Sequence, residues 1–184
     1  MVHSGGSMSG HPIHTLVLTD VASGWTECLP LLVRDQALTV EALQELRRRL
    51  PVALRGLDTD NDSVFINETL ISFCTENAIE FTRSRARHKN DQAWVEQKNG
   101  AVVRRLAGYS RFEGVRALRV LRRLFETARS FVNFFQPSFK LQEKVREGAR
   151  VRKRYATPAT PCDRLLSDPQ DAIPLRNKLV RHFL

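Results

Sequence analysis

Apolar residues alternate with polar ones in some stretches and recur at helical spacing in others, and the switches between these periods outline the chain. Met1 to Pro12 is rich in Gly and Ser and reads as a turn or flexible lead-in. His14 to Val21 is β-branched and apolar and predicts a strand; Ser23-Gly24 is a turn signal. Trp25 to Leu32 predicts the second strand of a hairpin, with Pro30 marking an edge or a strand end. Leu38, Ala42, Leu43, Leu46 and Leu50 then recur on one side of a predicted helix, Asp35 to Leu50, whose basic end suits a C-terminus.

Short strands are predicted at Val52 to Asp58 and Ile79 to Thr82, with a helix between them from Phe65 to Asn77. Arg83 to Asp91 reads as a polar, basic loop. A helix is predicted from Gln92 to Leu106, with Asp91 as its N-cap and Gly100 as a weak point or a place of close approach. Phe112 to Phe135 is a long predicted helix with Val115, Leu118, Leu121, Leu124, Phe125, Ala128 and Val132 on its apolar side. Ser138 to Tyr155 is polar and basic, Thr157 to Leu166 reads as a Pro-rich extended piece, and Ile173 to Leu184 as a short helix. The order is hairpin, helix, strand, helix, strand, helix, helix, which predicts a mixed α/β sheet covered by helices. Residues 1–141 are read as the core and residues 142–184 as a basic, Pro-containing tail.

Composition narrows the function. The 184 residues are 42% hydrophobic and carry a net charge of +9, with a pI of about 10.2. Polyanions are natural partners for such a chain, DNA among them. Cys28, Cys74 and Cys162 have no metal-binding spacing, and their odd number suggests a reducing compartment. There is no run of 18 apolar residues and no signal-peptide pattern at Met1, so a cytoplasmic protein with no membrane span is expected. The sequence contains no P-loop, no GxGxxG, no HExxH and no Ser/His/Asp arrangement with supporting context.

The chemistry concentrates between Gly56 and Gly100. Asp58, Asp60 and Asp62 succeed a short apolar approach, and a single Glu, Glu96, sits thirty-five intervening residues beyond Asp60. A strand–helix–strand–helix path can bring two carboxylates at that separation together, with Asp60 at the C-terminal end of a strand, where open α/β sheets place their sites. Carboxylate oxygens suit hard divalent cations such as Mg2+ or Mn2+. A calcium loop starting at Asp58 fits less well, because Ser63 replaces the required Gly and Thr69 the final Glu.

The stretch TDNDSVF, Thr59 to Phe65, resembles the TDNG-x-x-F motif of retroviral integrases and insertion-sequence transposases, with Asp62 in place of Gly. RSRARHKNDQAWVEQKNG, Arg83 to Gly100, is similar to the region around their catalytic Glu, and the D,D-35-E spacing is matched at Asp60 and Glu96. The resemblance covers roughly residues 2 to 141. It implies an RNase H-like sheet flanked by helices, and polynucleotidyl transfer that cuts and joins DNA ends. It also implies Asp60 and Glu96 as catalytic residues and metal ligands, and a homo-oligomer in the intact protein.

It further implies an upstream catalytic Asp on a first strand. Met1 to Gly10 contains no acid, so that Asp is expected at or just before the position of Met1, with the first strand mostly missing. Asp20 matches a turn Asp of the family rather than a ligand, and the turn chemistry of Ser23 and Gly24 gives the same reading. The expectation is a catalytic half, without the family's N-terminal DNA-binding helix-turn-helix and inactive or nearly so as this chain. The alternative is a catalytically dead DNA-binding remnant or an oligomerisation partner of an intact transposase. Arg83, Arg85, Arg87, Lys89, Lys98, Arg104 and Arg105 read either as a solvated face or as phosphate contacts. Asn61 and Asn90 are candidates to orient the acids. His88 reads as an exposed loop residue or a proton shuttle. Trp25 and Trp94 read as packing residues.

Overall fold

The strand that leads into the hairpin begins earlier than its composition suggests. The computed structural model describes residues 1–7, 9–60, 65, 68–84 and 98–169. In it Met1 to Ser4 is not a flexible lead-in: Met1 to His3 runs antiparallel to residues 13–15, and Ser4 bridges to Arg111. His3 N–H donates to the Ile13 carbonyl (2.9 Å), Thr15 N–H to the Met1 carbonyl (2.7 Å), and the Met1 ammonium to the Thr15 carbonyl (2.8 Å). Gly5, Gly6 and Gly10 behave as the Gly-rich reading expected, all three at positive φ.

β1 (His14–Thr19) and β2 (Thr26–Leu31) form the predicted hairpin, in register from His14 opposite Leu31 to Thr19 opposite Thr26. Because the Thr15 backbone turns toward Met1, its partner across the hairpin, Pro30, sits in a non-hydrogen-bonded pair. The missing Pro N–H therefore breaks no bond to β1. The connecting turn is held by Asp20, whose carboxylate accepts from Ser23 N–H (2.7 Å) and Ser23 Oγ (2.5 Å).

α1 (Gln36–Arg49) starts at Asp35, whose side chain accepts from Leu38 N–H (3.0 Å), and ends in Arg47, Arg48 and Arg49. β3 (Gly56–Thr59), α2 (Glu68–Glu76) and β4 (Glu80–Arg83) form a βαβ unit, with β3 and β4 parallel from Gly56–Glu80 to Thr59–Arg83. Val40 and Leu43 of α1 bury against Leu57, Leu70, Phe73, Cys74 and Ile79 of this unit.

The helix predicted from Gln92 lies outside the described residues up to residue 97. Beyond it, a π-helical segment, Asn99–Arg104, leads into α3 (Arg105–Ala107). Gly100 lies in this segment with open space where a Cβ would go, so it marks no close approach. α4 (Gly114–Ser130) runs into a second π-helical segment, Phe131–Phe135. Leu121, Phe125 and Val132 of the predicted apolar side bury with Ile13, Cys28, Val102 and Val103, whereas Val115 is half exposed.

The last part of the chain departs most from expectation. The polar, basic stretch is a two-stranded antiparallel ribbon of β5 (Leu141–Glu147) and β6 (Arg150–Tyr155), with Gly148 at positive φ in the turn. The Pro-rich stretch is not extended throughout. α5 (Pro161–Ser167) begins at Thr160 with a capping box to Asp163, and a Pro in the first turn suits a helix start. Cys162 and Leu165 of α5 pack with Trp25 and Leu50, and Phe134 meets Trp25 edge-on at 5.3 Å. Trp25 is thus a core residue, as read; Trp94 and the helix predicted from Ile173 lie outside the described residues. The architecture is mixed α/β, with three two-stranded ladders among the described residues.

Candidate functional site

The end of β3 sets the geometry of the candidate site. Along β3, Leu57 and Thr59 are buried while Gly56 and Asp58 are exposed, and Asp60 comes just past the last ladder position, exposed. The alternation places Asp58 on the outward face, where Thr82 Oγ1 donates to Oδ1 (2.8 Å) and Ser84 Oγ to Oδ2 (3.4 Å). Asp58 is therefore a cross-strand clamp between β3 and β4. Ser84 N–H also donates to the Thr59 carbonyl (2.8 Å), which fixes the strand end from which Asp60 emerges.

The N-terminal segment lies within electrostatic reach of Asp60. Burial lowers the pKa of the Met1 ammonium, and the Asp60 carboxylate acts in the opposite direction on it. Arg104 and Arg34 act on the same ammonium. His3 is buried and bonded through Nε2 to Thr15 Oγ1 (2.8 Å). Its pKa is pushed down to about 4, first by burial and then by the Met1 ammonium, His14 and Arg104.

Of the predicted phosphate-contacting residues, Arg83 ends β4 opposite Thr59, one residue from Asp60 in register, and is exposed. Arg104 acts electrostatically on the Met1 ammonium and His3, and its guanidinium lies 4.7 Å from the Tyr109 ring. Arg105 is exposed in α3. Lys98 goes elsewhere. It lines a cavity of about 100 Å3 with Lys140, Arg164, Val102, Val132 and Pro161. A Cβ on Gly24 would sit 3.8 Å from Lys98 Nζ and 3.7 Å from Arg164 Nη1. Burial, then Arg164, lowers the Lys98 pKa. Arg85, Arg87, Lys89, Asn61, Asn90, His88 and Glu96 lie outside the described residues. Asp20 is committed to its turn.

Sequence reading missed Arg34, Lys140 and Arg164. Arg34 is 26 positions from Asp60 and comes just after the hairpin, so no local pattern links the two. Lys140 donates to the Ala22 carbonyl, and Arg164 to the carbonyls of Ser23 (2.9 Å) and Ser138, contacts that only the fold creates. Among the described residues no three His, Cys, Asp or Glu side chains come together as a metal site. Asp60, at the strand end, is an exposed carboxylate, the kind of oxygen donor that hard divalent cations take.

No family model matches the chain. It is 54% identical over 164 residues to the uncharacterized protein y4rM of Sinorhizobium fredii, an alignment that takes in 89% of this chain and 47% of that protein. The chain therefore spans about half the length of this curated relative. Among solved structures, the catalytic core domain of BIV integrase is similar at a TM-score of 0.55 and 16% identity, covering 91% of this chain and 89% of that one. The HTLV-2 integrase catalytic core domain, solved in complex with magnesium, gives 0.54 and 18%, covering 72% and 82%. A chain of the simian T-cell lymphotropic virus intasome, in complex with PP2A regulatory subunit B56 gamma, gives 0.52 and 18%, covering 67% and 43%. At these identities the likeness is one of fold, and the fold of this chain is a mixed α/β domain similar to retroviral integrase catalytic cores.

Proposed function

We propose that this domain belongs to the machinery of DNA transposition or integration, a metal-dependent polynucleotidyl transferase that cleaves DNA ends and joins them to a target. One observation carries the reading: in an integrase-core-like fold, Asp60 leaves the C-terminal end of β3, and Glu96 stands at the D,D-35-E spacing from it. Asp60 and Glu96 would hold Mg2+ or Mn2+. When bound, the metal supplies Lewis-acid stabilisation of a phosphodiester and lowers the pKa of the attacking water or 3′-hydroxyl. The exposed Arg83 and Arg104 position the phosphate backbone by charge, without reading sequence.

A second reading is favoured by the segment beside Asp60. Met1 to Ser4 carries no carboxylate. A cation site with two carboxylates is weak. This 184-residue polypeptide is therefore proposed to bind DNA with little or no cleavage, as a remnant or as a partner of an intact transposase.

Calorimetric titration with MnCl2 and a nicking assay on supercoiled plasmid separate the readings. Asp60→Asn and Glu96→Gln should each weaken Mn2+ binding roughly tenfold or more and remove any nicking, with DNA binding retained. Unchanged Mn2+ binding in both variants would refute the site. Robust nicking by the unsubstituted chain would refute the second reading.

A further inference from the structure

The β5–β6 ribbon has a face that the folded chain leaves electrostatically unbalanced. Every residue of both strands is exposed. The register pairs Lys144 with Lys153 and Arg146 with Val151, and the period of two places these four on one face, continuing toward Tyr155. The opposite face holds Glu143 with Arg154, Val145 with Arg152 and Glu147 with Arg150. One face is thus charge-mixed, with an Arg154–Glu143 ion pair at 3.5 Å, while the other carries three cations and no acid. Like charges directly opposite on a sheet are destabilising, and a lone two-stranded hairpin is marginal in water. The aromatic pair of Phe139 and Tyr155, 6.0 Å apart, packs at the root rather than over the charged part.

We infer that the Lys144, Arg146, Lys153 face of this ribbon docks against double-stranded DNA, with the ribbon along the major groove and the cations on phosphates. Charge complementarity selects a polyanion. The shape selects a duplex: the B-form major groove, about 12 Å wide, admits a two-stranded ribbon, and seven residues of strand reach about 24 Å. The surface lies on different elements from Asp60 and Glu96, and it operates without a metal.

The test is binding of the full chain to a fluorescent 30-base-pair duplex in EDTA across a salt series, so that failure of the metal site leaves the result untouched. Two variants remove the same charge, K144Q/R146Q/K153Q on one face and R150Q/R152Q/R154Q on the other. Each lost phosphate contact lowers the slope of log K against log salt by about 0.9. The first variant should flatten that slope by about 2.7, so that between 50 and 200 mM salt it loses about 40-fold less affinity than the original chain. The second should change the slope by less than about 1. Equal changes in both variants, or none in either, would overturn the proposal, as would equal competition by duplex RNA, whose major groove is too narrow for the ribbon. Acetylation footprinting of the unsubstituted chain is the independent check. Lys144 and Lys153 should be protected by the duplex, and their equal labelling with and without DNA would likewise overturn it.

Discussion

Removing the guanidinium of Arg129 should destabilise the domain by about 3–4 kcal/mol. Glu27, on β2, is 1% exposed, and its Oε1 accepts from Arg129 Nε at 2.6 Å and from Trp25 Nε1 at 2.8 Å. Arg129, on α4, is 27% exposed and also donates from Nη2 to the Arg49 carbonyl (2.8 Å). The ion pair therefore ties the hairpin, α1 and α4 together. Breaking a buried pair by removing one partner costs about 3–5 kcal/mol, because the other charge is left without compensation. Water can reach the Arg129 side, which favours the low end of that range, and the lost bond to Arg49 adds about 1 kcal/mol.

The asymmetry of burial gives the sharper expectation. Arg129→Met strands a sealed carboxylate, whereas Glu27→Gln strands a guanidinium that can still be hydrated and keeps an acceptor for Trp25. The first substitution should therefore be the more damaging, and the double variant should recover about 1–2 kcal/mol relative to Arg129→Met. Urea denaturation monitored by far-UV circular dichroism reads these differences as midpoint shifts at constant slope. For a chain of this length, 3 kcal/mol corresponds to a fall in Tm of about 6–12 °C. A cost below about 1 kcal/mol for Arg129→Met, or a double variant no more stable than that single one, would refute the argument.

Asn133→Ala should cost about 2–4 kcal/mol in the same assay, because the fully buried amide accepts from Thr26 N–H and donates to the Thr26 carbonyl (both 2.9 Å) and no other group replaces it. Stability should also fall as the pH drops from 6.5 toward 4. His3 is neutral in the fold down to about 4, while the unfolded chain takes up a proton near 6.5. The loss is at most about 3 kcal/mol, and His3→Gln should flatten it; an unchanged pH profile in that variant would remove His3 as the cause. Asp60→Asn and Glu96→Gln, assayed for Mn2+ affinity and nicking, test the proposed metal site.

What the sequence made legible is what burial writes into it. α1 and α4 each present one buried stripe, and Leu43, Leu46, Leu121 and Phe125 keep the helical period because the core selects them. The β5–β6 ribbon escaped notice for the converse reason. Both of its faces meet solvent, so no alternation of apolar and polar residues is imposed, and its charges read as a featureless basic run. Met1 to Ser4 was hidden by its proximity to Gly5 and Gly6, whose turn signal spread over a neighbouring strand. α5 was obscured by the prolines on either side of it, although Thr160-Pro161-Cys162-Asp163 carries a helix start in its spacing.

The acid run is a place where motif and geometry meet. Asp58 and Asp60 stand two residues apart, and the TDN motif with its spacing to Glu96 singles out Asp60. The parallel partner β4 distinguishes them. Its Thr82 and the adjoining Ser84 stand opposite Asp58 and hold both of its oxygens, whereas Asp60 lies beyond the last paired residues, Thr59 and Arg83. A carboxylate bound along the ladder stabilises the strand pair. One that emerges past its end follows directly on the last pair, in which Arg83 stands opposite Thr59. The pairing of β3 thus separates the two acids in the same sense as the motif: Asp58 is tied along the ladder, and Asp60 follows its last pair.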